Sequence, residues 1–446
     1  MWHQIYSKIF NKSSRSNFVE FGRKNISFEE AQKHFSIIGS GCGLKKHILV
    51  NDMINQLSKL AKQKLVNGLL INYTYVESHE NFFDQTVYNF NPSHAQSNWK
   101  GELTAWDLSK DIVSYKDSEW LARRLIDFKP GGINILWNDL KIKILTEVIN
   151  LFIDCSGNFW TLRDLLLVFH AAHTFQKFLD KLPGLSEKIN PFSFLNGYDL
   201  KTIQYLLEAD LNKFTSVASQ WETAEHKLSL KGWLKDGGII TLCSNFVEYC
   251  SSYSVLDCVI WEAALNSILA QASESAKTNF VIVQDLLSIN TDILADFIVT
   301  ARQYRTSVIT GVEQNILDWN NLSKTHAQRI IANSYYLAVL GAAYDGFAEW
   351  IAGKLLNDYQ YKKEILQMAN EFQFMEDKPI RGIYRGREVY RNVYSYKKIQ
   401  KLKEHNKSSQ GTIRTRTQSQ EILQPWNESD RTRLNLDWLP IGEQKF

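Results

Sequence analysis

The chain has 446 residues, 44% hydrophobic and 22% charged, with 7 prolines and 22 glycines. That composition excludes disordered and fibrous classes and suits two or three packed domains. Five cysteines cannot build a disulfide framework, which points to a reducing compartment. Residues 1–17 lack the continuous apolar stretch of a signal peptide, and no uncharged apolar run reaches 18 residues, so the expectation is a soluble protein. The net charge of +3 is uneven: residues 377–446 hold 15 Lys/Arg against 8 Asp/Glu, the other 376 residues 36 against 40. A basic tail on a near-neutral body suits contact with phosphates or acidic partners, or a solvated, flexible segment.

In chain order, residues 34–39 (HFSIIG) read as a strand entering a glycine-rich turn, followed by helical periodicity over 48–64. Residues 68–73 (GLLINY) and 86–90 (TVYNF) read as further strands, and strands spaced by a helix imply a parallel sheet. The character then changes. Residues 117–128, 137–151, 160–179 and 200–221 carry apolar residues at helical spacing with few strand signals. Strand patterns return at 238–243 (GIITLC), 280–283 (FVIV), 307–311 (SVITG) and 337–340, with helical stretches at 254–272, 293–302 and 324–333. The expected architecture is an α/β domain with a parallel-rich central sheet, interrupted by an inserted all-α domain. The expected divisions are an N-terminal extension (1–26), a first half of the α/β domain (27–112), the helical insertion (113–227), a second half (228–376) and a basic, poorly ordered tail (377–446). That tail carries aromatic and apolar islands at 384–396 and 426–439.

Strand, glycine-rich turn and helix in that order are what a phosphate-binding loop requires, because free N–H groups at a helix start point at the anion. Gly39-Ser40-Gly41-Cys42-Gly43-Leu44-Lys45-Lys46 matches G-x-x-x-x-G-K-[ST] at its first glycine and its lysine. Leu44 replaces the second glycine, placing a bulky side chain where backbone should approach phosphate. Lys46 replaces the Mg²⁺-ligating hydroxyl, and its charge beside a cation would cost roughly 4 kcal/mol at about 4 Å. A glycine-rich strand–helix turn without nucleotide is the plainer alternative. The second expected element is an acidic pair closing an apolar strand; the chain has Gln284 and Asp285 after FVIV. Asp285 reads equally as an exposed carboxylate at a strand end.

The whole of residues 27–360 resembles the TraD/TraG-type coupling proteins of conjugative type IV secretion systems, hexameric RecA-like ATPases related to FtsK/HerA motors. Phe90-Asn91-Pro92 followed by Trp106-Asp107-Leu108 resembles the family's "LNP … WDLF" signature, and residues 230–233 (LKGW) before a strand resemble its "I-x-x-W". Residues 280–289 (FVIVQDLLSI) are similar to "FVLDELPSL", 300–304 (TARQY) to "x-G-R-K-x", 308–312 to "V-V-x-G-L", 326–335 to "A-Q-x-I-x-x-N", and 345–356 to "D-x-x-x-A-x-x-x-S-x-x-L-G".

The resemblance implies a RecA-like P-loop NTPase fold. It implies a nucleotide loop of Gly39, Ser40, Gly41, Cys42, Gly43, Lys45 and Lys46, with Lys45 on the β/γ-phosphates. It further implies catalytic positions at Asp285, which would orient water, at Arg302 as an arginine finger toward a neighbouring subunit, and at Glu313, where the family has a γ-phosphate-sensing glutamine that Gln314 supplies with a one-residue slip. Arg302 reads otherwise as a helix-end arginine on free carbonyls. Asn72 falls where an aspartate commonly ends the second strand.

Five departures collect at one chemical site: the loop glycine, the hydroxyl ligand, the Walker-B Asp, its Glu and the sensor Gln. ATP and Mg²⁺ are accordingly expected to bind weakly or not at all, with hydrolysis weak or lost. Family members usually begin with transmembrane helices, whereas this chain opens almost directly at the nucleotide domain. Implied partners are type IV secretion subunits, a DNA or protein substrate and other subunits of a hexameric ring, in the cytoplasm or recruited to the inner membrane. An active ATP-driven translocase and an unrelated α/β binding module remain as alternatives.

Other constellations point to structure. His170 and His173 share a helix face without a zincin glutamate, and read as helix surface or core. Cys243, Cys250 and Cys258 are expected to be buried small hydrophobes. Trp120, Trp137, Trp160, Phe169 and Phe178 are expected to fill the helical core.

Overall fold

The structure, a computed structural model, describes residues 18–21, 24–39, 44–71, 87–90, 103–126, 133–182, 200–242, 252–271, 277–284, 286, 291–313, 321–341, 345–355, 360–370, 383–384 and 423–439.

Twelve strands are described: β1 Phe18–Phe21, β2 Lys24–Ser27, β3 Phe35–Gly39, β4 Val66–Ile71, β5 Val87–Asn89, β6 Thr104–Trp106, β7 His226–Leu228, β8 Gly238–Leu242, β9 Thr278–Val283, β10 Thr306–Glu313, β11 Tyr336–Val339 and β12 Ile383–Tyr384. Eight form one sheet in the order β12-β11-β3-β10-β9-β4-β8-β5, parallel throughout except for β12 against β11. This is an α/β, RecA-like P-loop fold.

The strands are apolar runs because both faces are covered. On β9, Phe280 and Ile282 face a layer that includes Leu49, Met53, Ile54 and Leu57 of the helix Leu44–Lys62, while Val281 and Val283 face the opposite layer. Several polar side chains inside are neutral and bonded to one another, whereas Ser307 Oγ and Asn67 Oδ1 are buried without a partner. Ser36 Oγ donates to Ser334 Oγ at 2.8 Å and pairs with Thr310 Oγ1 at 2.9 Å. Asn67 Nδ2 donates to Asn279 Oδ1 at 2.8 Å. His34, buried and at φ 62°, closes the lower end of the β3–β10 ladder by accepting the Val308 N–H at 3.1 Å.

The stretch read as an N-terminal extension contains a hairpin. β1 and β2 pair antiparallel, Phe21 packs edge-on against Phe35 at 4.9 Å, and Gln56 exchanges two hydrogen bonds with the Glu20 main chain. Four-residue strands offered too little periodicity to be recognised.

Between β6 and β7 the chain is helical: Tyr115–Leu125, Ile133–Ser156, Leu162–His170, Ala172–Asp180, Leu200–Leu211 and Thr215–Glu222. The stretch expected as one helix over 160–179 is two. Ala171 is extended (φ −128°, ψ 129°), and Thr161 and Asp164 form a capping box at the start of the first. Phe152 stacks on Trp160 at 5.9 Å and lies 5.4 Å from Phe178; Trp160, Phe169 and Phe178 are buried, while Trp120 and Trp137 are only partly so. β6 and β7 form a small parallel sheet where the chain enters and leaves this lobe. Asp111 ties that junction together. It accepts from Trp106 Nε1 at 2.7 Å and from the main-chain N–H groups of Leu230 and Lys231 at 2.7 and 3.1 Å, at the start of the helix Leu230–Asp236. Burial nevertheless raises its carboxyl above the ordinary value.

Two expectations are corrected. The C-terminal segment expected to be flexible is docked over residues 423–439, where Leu423, Trp426, Leu434, Leu436 and Leu439 are buried against the helical lobe. Net charge misled here, because the apolar spacing within the segment outweighs the basic composition around it. Cys258 is exposed rather than buried, since it points off the helix Ser252–Leu269; Cys243 and Cys250 lie outside the described residues. His170 Nδ1 lies 3.2 Å from Glu208 Oε1, and among the described residues no group of His, Cys, Asp and Glu could hold a metal. Among them, too, no helix is long and apolar enough to cross a membrane.

Candidate functional site at the carboxyl end of the sheet

In an open parallel sheet, ligands collect at the carboxyl ends of the strands. β3, with Phe35–Gly39 fully buried, is held between β10 and β11, so its end is fixed on both sides. The register places Glu313 opposite Gly39. β9 lies one strand further on, beyond β10, which separates the loop strand from the strand of the expected acid by about 10 Å.

The helix that follows β3 starts at Leu44, so Lys45 and Lys46 stand in its first turn, and that turn holds no acidic residue. Two cations against the positive end of a helix dipole are unfavourable by about 0.3–1 kcal/mol each at a surface site. An anion seated on the free N–H groups would reverse that sign. Ser40, Gly41, Cys42 and Gly43 lie outside the described residues, as does Asp285.

The described end of the acid strand carries no carboxylate. Gln284 continues the β9–β4 ladder by donating its N–H to the Ile71 carbonyl at 3.1 Å, and its side chain is buried. A neutral amide thus stands where a carboxylate would neutralise a divalent ion.

Arg302 lies at the other end of the sheet. It follows the helix Thr291–Ala301 and precedes β10, whose eight residues carry the chain about 23 Å to Glu313. No side chain of this chain spans that distance, so Arg302 and the loop strand's carboxyl end belong to separate sites within one copy. Arg302 is exposed and lines a cleft of about 690 Å³ with Lys33, His34, Val299, Asn333 and Tyr335. Lys33 Nζ sits 5.0 Å from the centre of the Tyr335 ring. His34 is held neutral, its pKa lowered to about 4 by burial, with the Arg302 charge adding to the shift against a bond to the Ile298 main chain. Sequence reasoning found Arg302 but missed Lys33 and Tyr335, which precede buried strands and carry no motif of their own.

Neither a protein-family model nor a curated protein matches the chain. Solved structures do. The plasmid coupling protein TrwB bound to the GTP analogue GDPNP aligns with a TM-score of 0.55 at 16% identity, over 76% of this chain and 78% of TrwB. The fold is that of TrwB. Its complex with the ATP analogue ADPNP aligns at 0.55 and 15% identity over 85% and 91% of the two chains, and its complex with ADP and Mg²⁺ at 0.53 and 15% over 86% and 83%. At such identities the likeness to TrwB establishes architecture, and the chemistry of this chain has to be read from its own residues.

Proposed function

We propose that this chain is a subunit of the coupling-protein type, acting in the cytoplasm or recruited to the inner membrane by type IV secretion partners. It receives a DNA or protein substrate as part of a ring, hexameric by resemblance. It holds nucleotide phosphates on the helix that starts at Leu44, and hydrolysis is weak or lost.

The observation that carries this reading is the pairing at the carboxyl end of the sheet. Lys45 and Lys46 occupy a helical first turn without an acid, while the acid strand closes on buried, neutral Gln284. The first favours a phosphate; the second removes a ligand for the metal that assists attack on it. Arg302, remote from its own chain's edge, suits contact with a neighbouring copy. The division of the chain into an α/β core with a helical insertion over 113–227 belongs to the same proposal.

Calorimetry with ATP, with and without Mg²⁺, tests the nucleotide half. ATP is expected to bind with an affinity that Mg²⁺ changes little and that Lys45→Ala lowers by about tenfold, about 1.4 kcal/mol. Steady Mg²⁺-dependent turnover abolished by Lys45→Ala would instead identify a working motor. A native mass measurement in the same buffer reports whether copies assemble.

A further inference from the structure

The helix Glu428–Leu434 is a self-contained unit. Asn427 and Asp430 form a capping box at its start, and Asn435, at φ 54°, ends it in a left-handed turn. Its short flanks complete the segment 423–439. Every hydrogen bond, ion pair and ring contact described between this segment and the rest of the chain falls on residues 156–181 of the helical lobe.

The groove there has the character of a receptor. At its floor stand two opposite charges, Arg163 with its side chain 7% exposed and Asp164 with none exposed, 3.9 Å apart. The segment supplies what each still needs. Arg163 Nε and Nη2 donate to the main-chain carbonyls of Gln424 and Pro425, each at 2.8 Å, and Nη2 also reaches Asp430 at 3.1 Å. Asp164 accepts from Trp426 Nε1 at 2.7 Å and from Arg433 Nη2 at 3.1 Å. Arg433 Nη1 donates to the Phe159 carbonyl, and Ser156 Oγ donates to the Leu434 carbonyl at 2.7 Å. Two aromatic anchors bracket Phe178: Trp426 stacked at 6.1 Å and Trp438 edge-on at 5.1 Å, the latter beneath Lys181 Nζ.

Bonds to main-chain carbonyls, together with indole and guanidinium anchors in fixed pockets, are how a protein reads a linear peptide. Removing the occupant would take from Asp164 its bonds to Trp426 and Arg433 and from Arg163 its bonds to Gln424, Pro425 and Asp430. Arg163 would be left beside Glu222 at 3.7 Å, and Asp164 with Thr161. The connection does not dictate which copy supplies it. Thirty-eight residues, 385–422, separate Tyr384 from Leu423. They can span at most about 130 Å. That exceeds the width of one domain, so the segment's own lobe and a neighbour's are both within reach.

We propose that residues 423–439 are an exchangeable docking segment, that the groove over residues 156–181 is its receptor, and that in an assembly of this chain the segment docks on the lobe of a second copy. Within a single copy the tether keeps the local concentration high and the groove filled; between adjacent copies exchange adds a link without any new contact surface. The proposal takes its setting from the ring-forming reading above, but its test needs neither nucleotide nor secretion machinery, so the two can fail separately.

Two full-length variants, Lys181→Cys and Trp438→Cys, are mixed at equal concentration under conditions where native mass shows an assembly, then oxidised. Mass spectrometry then looks for the 181–438 disulfide. Exchange predicts that this bond joins the two chains, and that adding Arg433→Glu to the Trp438→Cys chain lowers its yield at least tenfold. If no inter-chain 181–438 bond forms, or if Arg433→Glu leaves its yield unchanged, the proposal is overturned. A labelled peptide of residues 421–441 gives an independent reading. It should bind full-length Arg433→Glu, whose own segment is weakened, at least tenfold more tightly than the unaltered chain; equal binding to both, or binding to neither, also overturns it.

Discussion

In the central sheet several buried polar side chains are neutral and bonded in short chains, as with Ser36, Thr310 and Ser334, or Asn67 and Asn279. In the helical lobe four acidic and basic side chains, Arg163, Asp164, Asp430 and Arg433, meet within one groove. A neutral hydroxyl chain loses little when one member goes, because the remaining groups re-pair or were only modestly stabilised over water. A desolvated ion network has no such slack, since each charge is tolerable only while its partner stays. Single substitutions among the sheet's hydroxyls are therefore expected to cost less than substitutions in the lobe's charged groove.

The comparison can be broken in three ways. Asp164→Ala should cost about 3–5 kcal/mol in denaturant unfolding, since it takes a partner from Arg433 and from Trp426 and removes the Asp164 half of the capping box with Thr161. A loss near 1 kcal/mol would mean the lobe is as forgiving as the sheet.

A pH series probes His34, a buried titratable group at the sheet. Its folded pKa is about 4 against an ordinary 6.5, so the folded form refuses a proton that the unfolded chain accepts. Its contribution is complete above pH 6.5 and is lost as pH falls toward about 4, a total of about 3 kcal/mol. Thermal unfolding at pH 7.5 and pH 4.5 should show that loss, and a His34→Gln variant should lack that part of it. The lobe's Asp430 behaves in the usual carboxylate sense. Burial opposes its charge, but the Asn427 N–H and the Arg163 and Arg433 guanidiniums hold its pKa below the ordinary value, so its contribution persists to more acid pH than that of His34.

The smallest expected effect is Ser36→Ala, about 1 kcal/mol by urea unfolding, because Thr310 and Ser334 keep other partners. A cost equal to that of Asp164→Ala would erase the distinction between the two regions.

Legibility followed the same division. The strands at 280–283 and 238–243 could be read because runs such as FVIV are apolar at every position, as a sheet covered on both faces requires. The Gly39–Lys46 motif and its departures were equally plain, and so was Gln284 in place of an acid. What could not be read was pairing. Nothing in the spacing of Asp111 says that it caps a helix 119 residues away, nor in Arg163 that its partners lie 261 residues on. The short hairpin at 18–27 and the docked segment at 423–439 were missed because each becomes ordered only against a surface supplied by another part of the chain.

By itself the amino-acid order determined the long apolar strands and the helical stretches, because burial patterns repeat along a few neighbouring residues, and it placed a glycine-rich turn after the strand 34–39 and a neutral glutamine after the strand 280–283. Only the tertiary structure decided that β10 lies between those two strands, that Arg302 stands at the opposite end of the sheet from the loop, and that the basic C-terminal stretch ends in a docked segment. Those outcomes depend on which distant surfaces meet, and contact between residues hundreds of positions apart leaves no local periodicity to read.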